Sequence, residues 1–279
     1  MSPLLQVNSL RVTFRANDQD TVAVKGISFS LNKGEILAVV GESGSGKSVS
    51  ALALTGLLPP SPICKVEGQI QLDGVDLLKL SEDELTKIRG KQIAYVFQDP
   101  GTSLNPVYSV GFQIAEAVQI HRPEVKDINT AVIQALQEVH IQDAAKVAQQ
   151  YPHELSGGMQ QRVMIAMALA CNPRILVADE PTTALDVTIQ KEIMELLGRI
   201  RRDRNMSILL ITHNFGIVAH FADRVQVMRH GVIVESGATE QVMSQPSDPY
   251  TKGLIACIPR LGQRRTRLTT LSDELAQSS

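Results

Sequence analysis

With 279 residues, 43% of them hydrophobic, the chain can bury a sizeable core as one large α/β unit or two subdomains, which excludes a disordered or fibrous protein. A formal net charge of -2 with both signs interspersed provides no broad basic field for gripping nucleic acid, so no nucleic-acid partner is expected. No apolar run approaches the roughly 20 residues that cross a bilayer, and no signal-like apolar core follows the N-terminus; any link to a membrane is expected through another protein.

Taken in chain order, Leu10, Val12 and Phe14 alternate with Arg11 and Thr13 and mark a half-buried strand, and Val22 to Leu31 continues as a second β-rich run. Phe14 reads equally as core or as a nucleotide-facing aromatic. Glu35 to Val40 is a short apolar run that reads as a buried strand. It leads into Gly41-Glu42-Ser43-Gly44-Ser45-Gly46-Lys47-Ser48, which fits G-x-x-x-x-G-K-[ST], and then into a helix-compatible run from Val49 to Leu58. Glycines let backbone N–H groups approach phosphates, a helix N-terminus adds partial positive charge, Lys47 can reach β/γ-phosphates and Ser48 can ligate Mg²⁺. The octet is therefore read as a phosphate cradle.

Pro59-Pro60-Ser61-Pro62 is expected to break that helix, Gly68 to Leu72 to form an alternating strand, and Ser81-Glu82-Asp83-Glu84 to start a short capped helix running to about Ile88. Ile93 to Phe97 is another strand, ending at Gln98-Asp99-Pro100. A polar side chain at a strand's end is where a doubly wound sheet keeps ligand contacts, and turn chemistry explains the same stretch. From about Val110 to Ala170 the pattern is helical, with Ile128, Val132, Ala135, Leu136 and Val139 on one face. Within it, Leu155-Ser156-Gly157-Gly158 opens an apolar-striped helix, Met159 to Cys171, either as a plain N-cap or as a second anion-binding helix start.

Ile175 to Ala178 restores a buried strand that ends in Asp179-Glu180. A phosphate-loop ATPase needs an acid there to hold Mg²⁺, and Glu180, one residue on, can orient or deprotonate a water. A helix with Ile189, Ile193, Leu196, Leu197 and Ile200 on one face follows, then the strand Ser207 to Ile211, closing on Thr212-His213-Asn214. His213 is either a structural hydrogen-bonder or a γ-phosphate contact. Val225 to Met228 and Val232 to Val234 form a final hairpin around His230-Gly231. The remainder is helical, then polar, with Arg264, Arg265 and Arg267 read as solvated surface. Cys64, Cys171 and Cys257 are in no metal or redox spacing, which fits structural thiols in a reducing cytoplasm.

The order of these motifs resembles the nucleotide-binding subunit of ATP-binding cassette (ABC) transporters: the phosphate loop at 41–48, the Gln98 loop, Leu155-Ser156-Gly157-Gly158-Met159-Gln160-Gln161-Arg162, Asp179-Glu180, Ala184-Leu185-Asp186 and His213. The signature stretch at 155–162 is the most specific, since other phosphate-loop NTPases do not carry it. The resemblance implies an α/β fold: a phosphate-loop NTPase (RecA-like) core with an N-terminal antiparallel β subdomain over 1–98, an inserted helical subdomain over 99–172, the rest of the core over 173–235, and a C-terminal helical extension and polar tail over 236–279.

It also implies roles. Phe14 would stack on adenine. Gly41, Ser43, Gly44, Ser45, Gly46, Lys47 and Ser48 would hold the phosphates of ATP, and Ser48, Asp179 and Gln98 would surround Mg²⁺. Glu180 would be the catalytic base and His213 the γ-phosphate sensor. Ser156, Gly157 and Gly158 would cap the γ-phosphate of ATP bound to a second ATPase subunit, a paralogue or an identical chain, and Asp186 would lie in the loop communicating across that interface.

A narrower likeness, carried by Phe97 to Pro106, Asp179 to Gln190, and Asp248-Pro249-Tyr250-Thr251 through Ile258-Pro259-Arg260-Leu261, is to the dipeptide, oligopeptide and nickel importer branch. That implies two integral-membrane permeases, an extracytoplasmic solute-binding protein, and a peripheral position on the cytoplasmic face of the inner membrane. No cysteine follows Cys257, which argues against the cysteine cluster that many members carry there, and the short end resembles that of the nickel or metal-chelate members. A soluble ABC ATPase of DNA repair or translation is expected to show a coiled-coil insertion, a tandem cassette or a basic surface, and none is visible. A phosphate-loop GTPase is expected to show N-K-x-D, which is absent.

Overall fold

The structure, a computed structural model, describes residues 2–16, 19–183 and 185–257. Ala184 and the segment 258–279, with Ile258 to Leu261 and the three tail arginines, lie outside the described residues. The strands are β1 (Leu5–Ala16), β2 (Gln19–Leu31), β3 (Ile36–Val40), β4 (Cys64–Leu72), β5 (Val75–Asp76), β6 (Ile93–Val96), β7 (Ile175–Asp179), β8 (Ser207–Thr212), β9 (Arg224–Arg229) and β10 (Val232–Ala238). The first half of the chain carries helices α1 (Lys47–Ala53), α2 (Glu82–Ile88), α3 (Pro100–Ser103), α4 (Val110–His121), α5 (Ile128–Glu138) and α6 (Ala144–Val147). Helices α7 (Gly157–Ala170), α8 (Val187–Arg204), α9 (Phe215–Phe221), α10 (Thr239–Ser244) and α11 (Pro249–Ala256) follow.

Two sheets organise these elements. The first is antiparallel, ordered β2-β1-β4-β5. The second is ordered β10-β9-β3-β8-β7-β6, parallel throughout except for β10. Side chains alternate across a strand, so the uninterrupted apolar runs of β3, β7 and β8 mean that both faces are covered. One face of the second sheet, carrying Leu37, Val39, Val177, Leu209 and Ile211, shares a core with α1 and the antiparallel sheet. The other face, carrying Ala94, Val96, Leu176, Ala178, Ile208 and Leu210, packs on α7, α8 and the helices of the middle segment.

The expected face of α5 is the buried one: Val132, Ala135, Leu136 and Val139 are in the core, with Ile128 packed against it. In α8, Ile193, Leu196, Leu197 and Ile200 are buried at the 3–4 spacing of one helical stripe. Burying each stabilises the fold by about 1.5–3 kcal/mol. Cys64 and Cys171 are buried, and burial pushes both thiols up, Cys171 to about 11, which fits inert core thiols.

One expectation is corrected. The helix after the phosphate loop stops at Ala53, well short of Leu58 and the proline cluster. Gly56 adopts a left-handed φ of 65°, and Leu57 N donates to Leu52 O at 3.0 Å, the long-range bond of a glycine-terminated helix end. The glycine ends the helix before the prolines are reached.

The register of the parallel sheet sets the position of everything that follows. Val40 pairs with Thr212, Asp179 with Ile211, and Val96 with Ala178. Four neighbouring strands therefore release the phosphate loop, His213, Glu180 and Gln98 at one edge, the carboxyl ends of an open α/β sheet.

Candidate active site at the carboxyl edge of the parallel sheet

The loop leaving β3 is shaped by what surrounds it. Gly41 takes φ 154°, and a Cβ there would lie 2.1 Å from Met228 O, so any larger residue forces the loop off the β9–β10 hairpin. The tip of that hairpin fixes the loop again, Gly231 N donating to Ser45 O at 3.0 Å. Lys47, 5% exposed, folds back under the loop: Nζ donates to Gly41 O and Glu42 O at 2.8 Å each and to Ser45 Oγ at 3.4 Å. Burial pushes its pKa below the ordinary lysine value, while the carboxylates of Glu180, Asp179 and Glu42 pull the other way. An ammonium so placed, with the first-turn N–H groups of α1 beside it, can accept an anionic oxygen.

The two adjacent acids have opposite environments. Asp179 Oδ1 accepts from Ser48 Oγ at 3.0 Å, and burial, with the neighbouring Glu180 charge, pushes its carboxyl above the usual range against that hydrogen bond. Glu180 sits at φ 47°, a left-handed backbone uncommon for a non-glycine residue, with its N–H bonded to Ile211 O at 2.9 Å. Its Oε2 accepts from Thr183 Oγ1 at 2.7 Å and Gln98 Nε2 at 3.3 Å, and Oε1 is 3.1 Å from His213 Nδ1. Burial pushes this carboxyl up, but the hydrogen bonds from Thr183 and His213 outweigh it and the net direction is down. Environments that drive neighbouring carboxyls apart allow two different roles.

Gly41, Ser43, Gly44, Gly46, Lys47, Ser48, Gln98, Glu180 and His213 together line one cleft of about 970 Å³. Ser45 is buried beneath the loop, and Asp179 is bonded to Ser48 at the cleft floor. Thr183 and Leu254 also line it, and neither is a candidate from sequence. Thr183 lies in a stretch that reads as a motif without a role for the threonine, and Leu254 arrives from α11 with no local signal.

Besides Ser45 and Asp179, five sequence candidates are outside the cleft lining. Phe14 is half-buried and packs against the core of the antiparallel sheet. Ser156 N-caps α7, its Oγ accepting from Met159 N at 3.4 Å, and Asp186 N-caps α8, accepting from Ile189 N at 3.0 Å. These two helix starts abut: a Cβ on Gly158 would lie 3.2 Å from Ile189 Cγ2, and one on Gly157 4.0 Å from Leu185 Cδ2. They are also built alike. Gln160 Nε2 donates to Pro152 O and Leu155 O at 2.8 and 3.3 Å, and Gln190 Nε2 donates to Thr182 O and Leu185 O at 2.9 and 3.1 Å. Each glutamine, four residues after its cap, ties down the chain entering the helix.

Ser48 and Asp179 fit Mg²⁺: a hydroxyl and a carboxylate already in contact are hard oxygen donors, and Gln98 can add a third oxygen. Among the described residues no group of three or more His, Cys, Asp or Glu could hold a metal.

The profile of the family described as ABC transporter matches residues 24–183, and that of the oligopeptide/dipeptide transporter C-terminal region matches residues 234–279. The dipeptide transport ATP-binding protein DppD of Bacillus subtilis is 47% identical over 272 residues, covering 97% of this chain and 81% of that protein. The oligopeptide transport ATP-binding protein OppD of Haemophilus influenzae is 47% identical over 272 residues, covering 97% and 84%. Among solved structures, the dimeric ATP-binding cassette MJ0796 bound to ADP and Pi superposes with a TM-score of 0.75 at 28% identity, over 84% of this chain and 98% of that one. The chain therefore belongs to the ABC transporter family as an ATP-binding subunit with ATPase activity, in the branch that carries the oligopeptide/dipeptide transporter C-terminal region.

Proposed function

We propose that this chain drives the import of peptides, working with a second ATPase subunit, two membrane-embedded permeases and an extracytoplasmic solute-binding protein, on the cytoplasmic face of the membrane. No helix among the described residues is long and apolar enough to cross a membrane, in keeping with a peripheral subunit. The relatives named for dipeptide and oligopeptide transport, and the C-terminal region shared with them, support a peptide cargo. Nickel or a metal chelate is the narrower alternative within the same branch.

The observation that carries the chemistry is Glu180, held as a carboxylate at the cleft edge by Thr183, Gln98 and His213. The phosphate loop and Lys47 cradle the phosphates of ATP. Ser48 and Asp179 hold Mg²⁺ with Gln98 nearby, and the ion supplies neutralisation of phosphate charge when bound. Glu180 orients a water in line with the γ-phosphorus and takes its proton as the new P–O bond forms. The bond from the γ-phosphorus to the β–γ bridging oxygen breaks, leaving ADP and phosphate. His213 reports the γ-phosphate, and half-buried Phe14 stacks on adenine.

Ser156, Gly157 and Gly158, outside their own cleft, cap the γ-phosphate held by the second ATPase subunit. Asp186, at the start of the helix that abuts theirs, carries the state of one site to the other. ATP closes this two-subunit sandwich and hydrolysis reopens it. The helical segment 99–172 passes the motion on. Tyr108 stacks on Phe112 at 4.6 Å there, with Val107 70% exposed beside them, an apolar surface suited to a permease.

Reconstitution with the co-purifying permeases and binding protein tests this reading. Addition of a short peptide should stimulate ATP hydrolysis several-fold. Stimulation only by a nickel chelate transfers the cargo to metal, stimulation only by an exported compound removes import, and absence of any co-purifying membrane protein in mild detergent removes transport.

A further inference from the structure

The C-terminal helix reaches the phosphate loop from the far end of the chain. Tyr250, in the first turn of α11, is 1% exposed, and its ring is part of the apolar cluster with Val40, Phe215, Val227 and Val242, where β3 runs out. The Arg229 guanidinium lies 4.7 Å from the ring centroid, from the last residue of β9. The hydroxyl emerges at Glu42, the second residue of the loop. It accepts from Glu42 N at 3.1 Å and donates to Glu42 Oε2 at 3.3 Å.

Glu42 is in turn one bond from the ammonium: its carbonyl accepts from Lys47 Nζ at 2.8 Å. The peptide units of Glu42 are thus held on one side by Tyr250 and on the other by Lys47. A rotation of the Glu42 backbone that released the first contact would also move an acceptor that positions Lys47.

The helix bearing Tyr250 is itself fixed. Asp248 Oδ1 accepts from Tyr250 N at 2.8 Å and from Thr251 N at 3.4 Å, while the Glu235 carboxylate on β10 accepts from Ser247 N at 2.6 Å and Asp248 N at 3.2 Å. One turn further on, Leu254 lines the cleft. A rigid strut therefore runs from β10 through Asp248 to the loop.

We propose that Tyr250 is a positioning residue for nucleotide binding: through its hydroxyl the C-terminal helix pins the start of the phosphate loop and thereby sets the affinity of this cleft for ATP. Tyr250 contacts no reacting atom. Its effect passes through Glu42 to the conformation in which the loop and Lys47 meet the phosphates.

Tyr250→Phe removes the hydroxyl and keeps the ring over Arg229. In the full chain, the Kd for Mg-ATP, read by titration with a fluorescent ATP analogue, should rise about threefold to tenfold, as for the loss of one hydrogen bond. Turnover at saturating ATP in the assembled transporter should stay within about twofold of wild type, because bound nucleotide holds the loop in place of the hydroxyl. Amide exchange should quicken in the peptide covering residues 41–48 and be unchanged in the β-strands. A Kd unchanged within about twofold overturns the proposal. So does a loss of turnover at saturating ATP without a change in Kd, or quickened exchange throughout the sheet, which marks a general packing defect. The wild-type chain provides a check that needs no variant: the Glu42 amide must be protected without nucleotide, and free exchange there is equally fatal.

Discussion

Glu180→Gln should lower ATP turnover by about 10²- to 10⁴-fold, the usual contribution of a positioned general base, while ATP binding stays close to wild type. Glutamine has nearly the same shape, and its carbonyl oxygen can still accept from Thr183 Oγ1, the shortest of the contacts holding Glu180. The backbone at φ 47° is unaffected by the change, so the strand end and loop keep their course. What disappears is the ability to take a proton from water. Single-turnover hydrolysis alongside a nucleotide titration separates the two effects, and near-normal hydrolysis would remove Glu180 from the base role. The pH profile of the wild-type protein provides a second check. Because Thr183 and His213 hold this carboxyl below its ordinary range against burial, its midpoint lies below the ordinary glutamate pKa. An acid limb in turnover assigned to Glu180 belongs below that pKa.

Asp179→Asn should act in opposite directions on activity and stability. Loss of the charge proposed to hold Mg²⁺ should reduce turnover by about 10²-fold or more, comparable to deleting a preorganised electrostatic contact in an active site. The fold should gain. Burial holds the Asp179 carboxyl above its unfolded pKa, so as pH rises the unfolded chain releases this proton first and the native state loses stability through the interval up to the folded pKa. Above that interval the cost is complete. Asparagine has no proton to release, and its carbonyl oxygen keeps the acceptor for Ser48 Oγ. Without nucleotide, the variant should melt above wild type at neutral pH, with the difference shrinking as pH falls through the carboxylate range. A lower melting point at neutral pH would show that Asp179 is stabilised by its charge in the nucleotide-free state.

What could be read in the sequence was whatever lay within one strand and its exit. The apolar runs at 36–40, 175–178 and 207–211 are buried strands, and the polar residues that follow them do converge. Parallel pairing explains why: strands running the same way deliver their ends to one edge, so local readings of strand ends add up to a site. Contacts made across long separations were invisible. Tyr250 and Glu42 are 208 residues apart, and neither flank hints at the other. The paired glutamines were hidden for a different reason. Gln160 and Gln190 stand in helical runs where a polar residue reads as surface, and only the structure shows their amides turned back onto entering carbonyls. The sequence alone places the end of α1 too late because the prolines are the louder signal, although a left-handed glycine stops a helix just as firmly.

In the proposed mechanism the cleft is half of a composite site, completed by the Ser156 helix start of another subunit. Ser156→Asn tests it most directly, because asparagine keeps the N-cap acceptor that α7 requires while replacing the hydroxyl. Turnover of the assembled transporter carrying this substitution is the quantity to measure, with ATP affinity of the isolated chain as its reference. Turnover should fall by about 10- to 100-fold with that affinity unchanged, since Ser156 does not line its own cleft. Full turnover, or a loss of ATP affinity in the isolated chain, would contradict it.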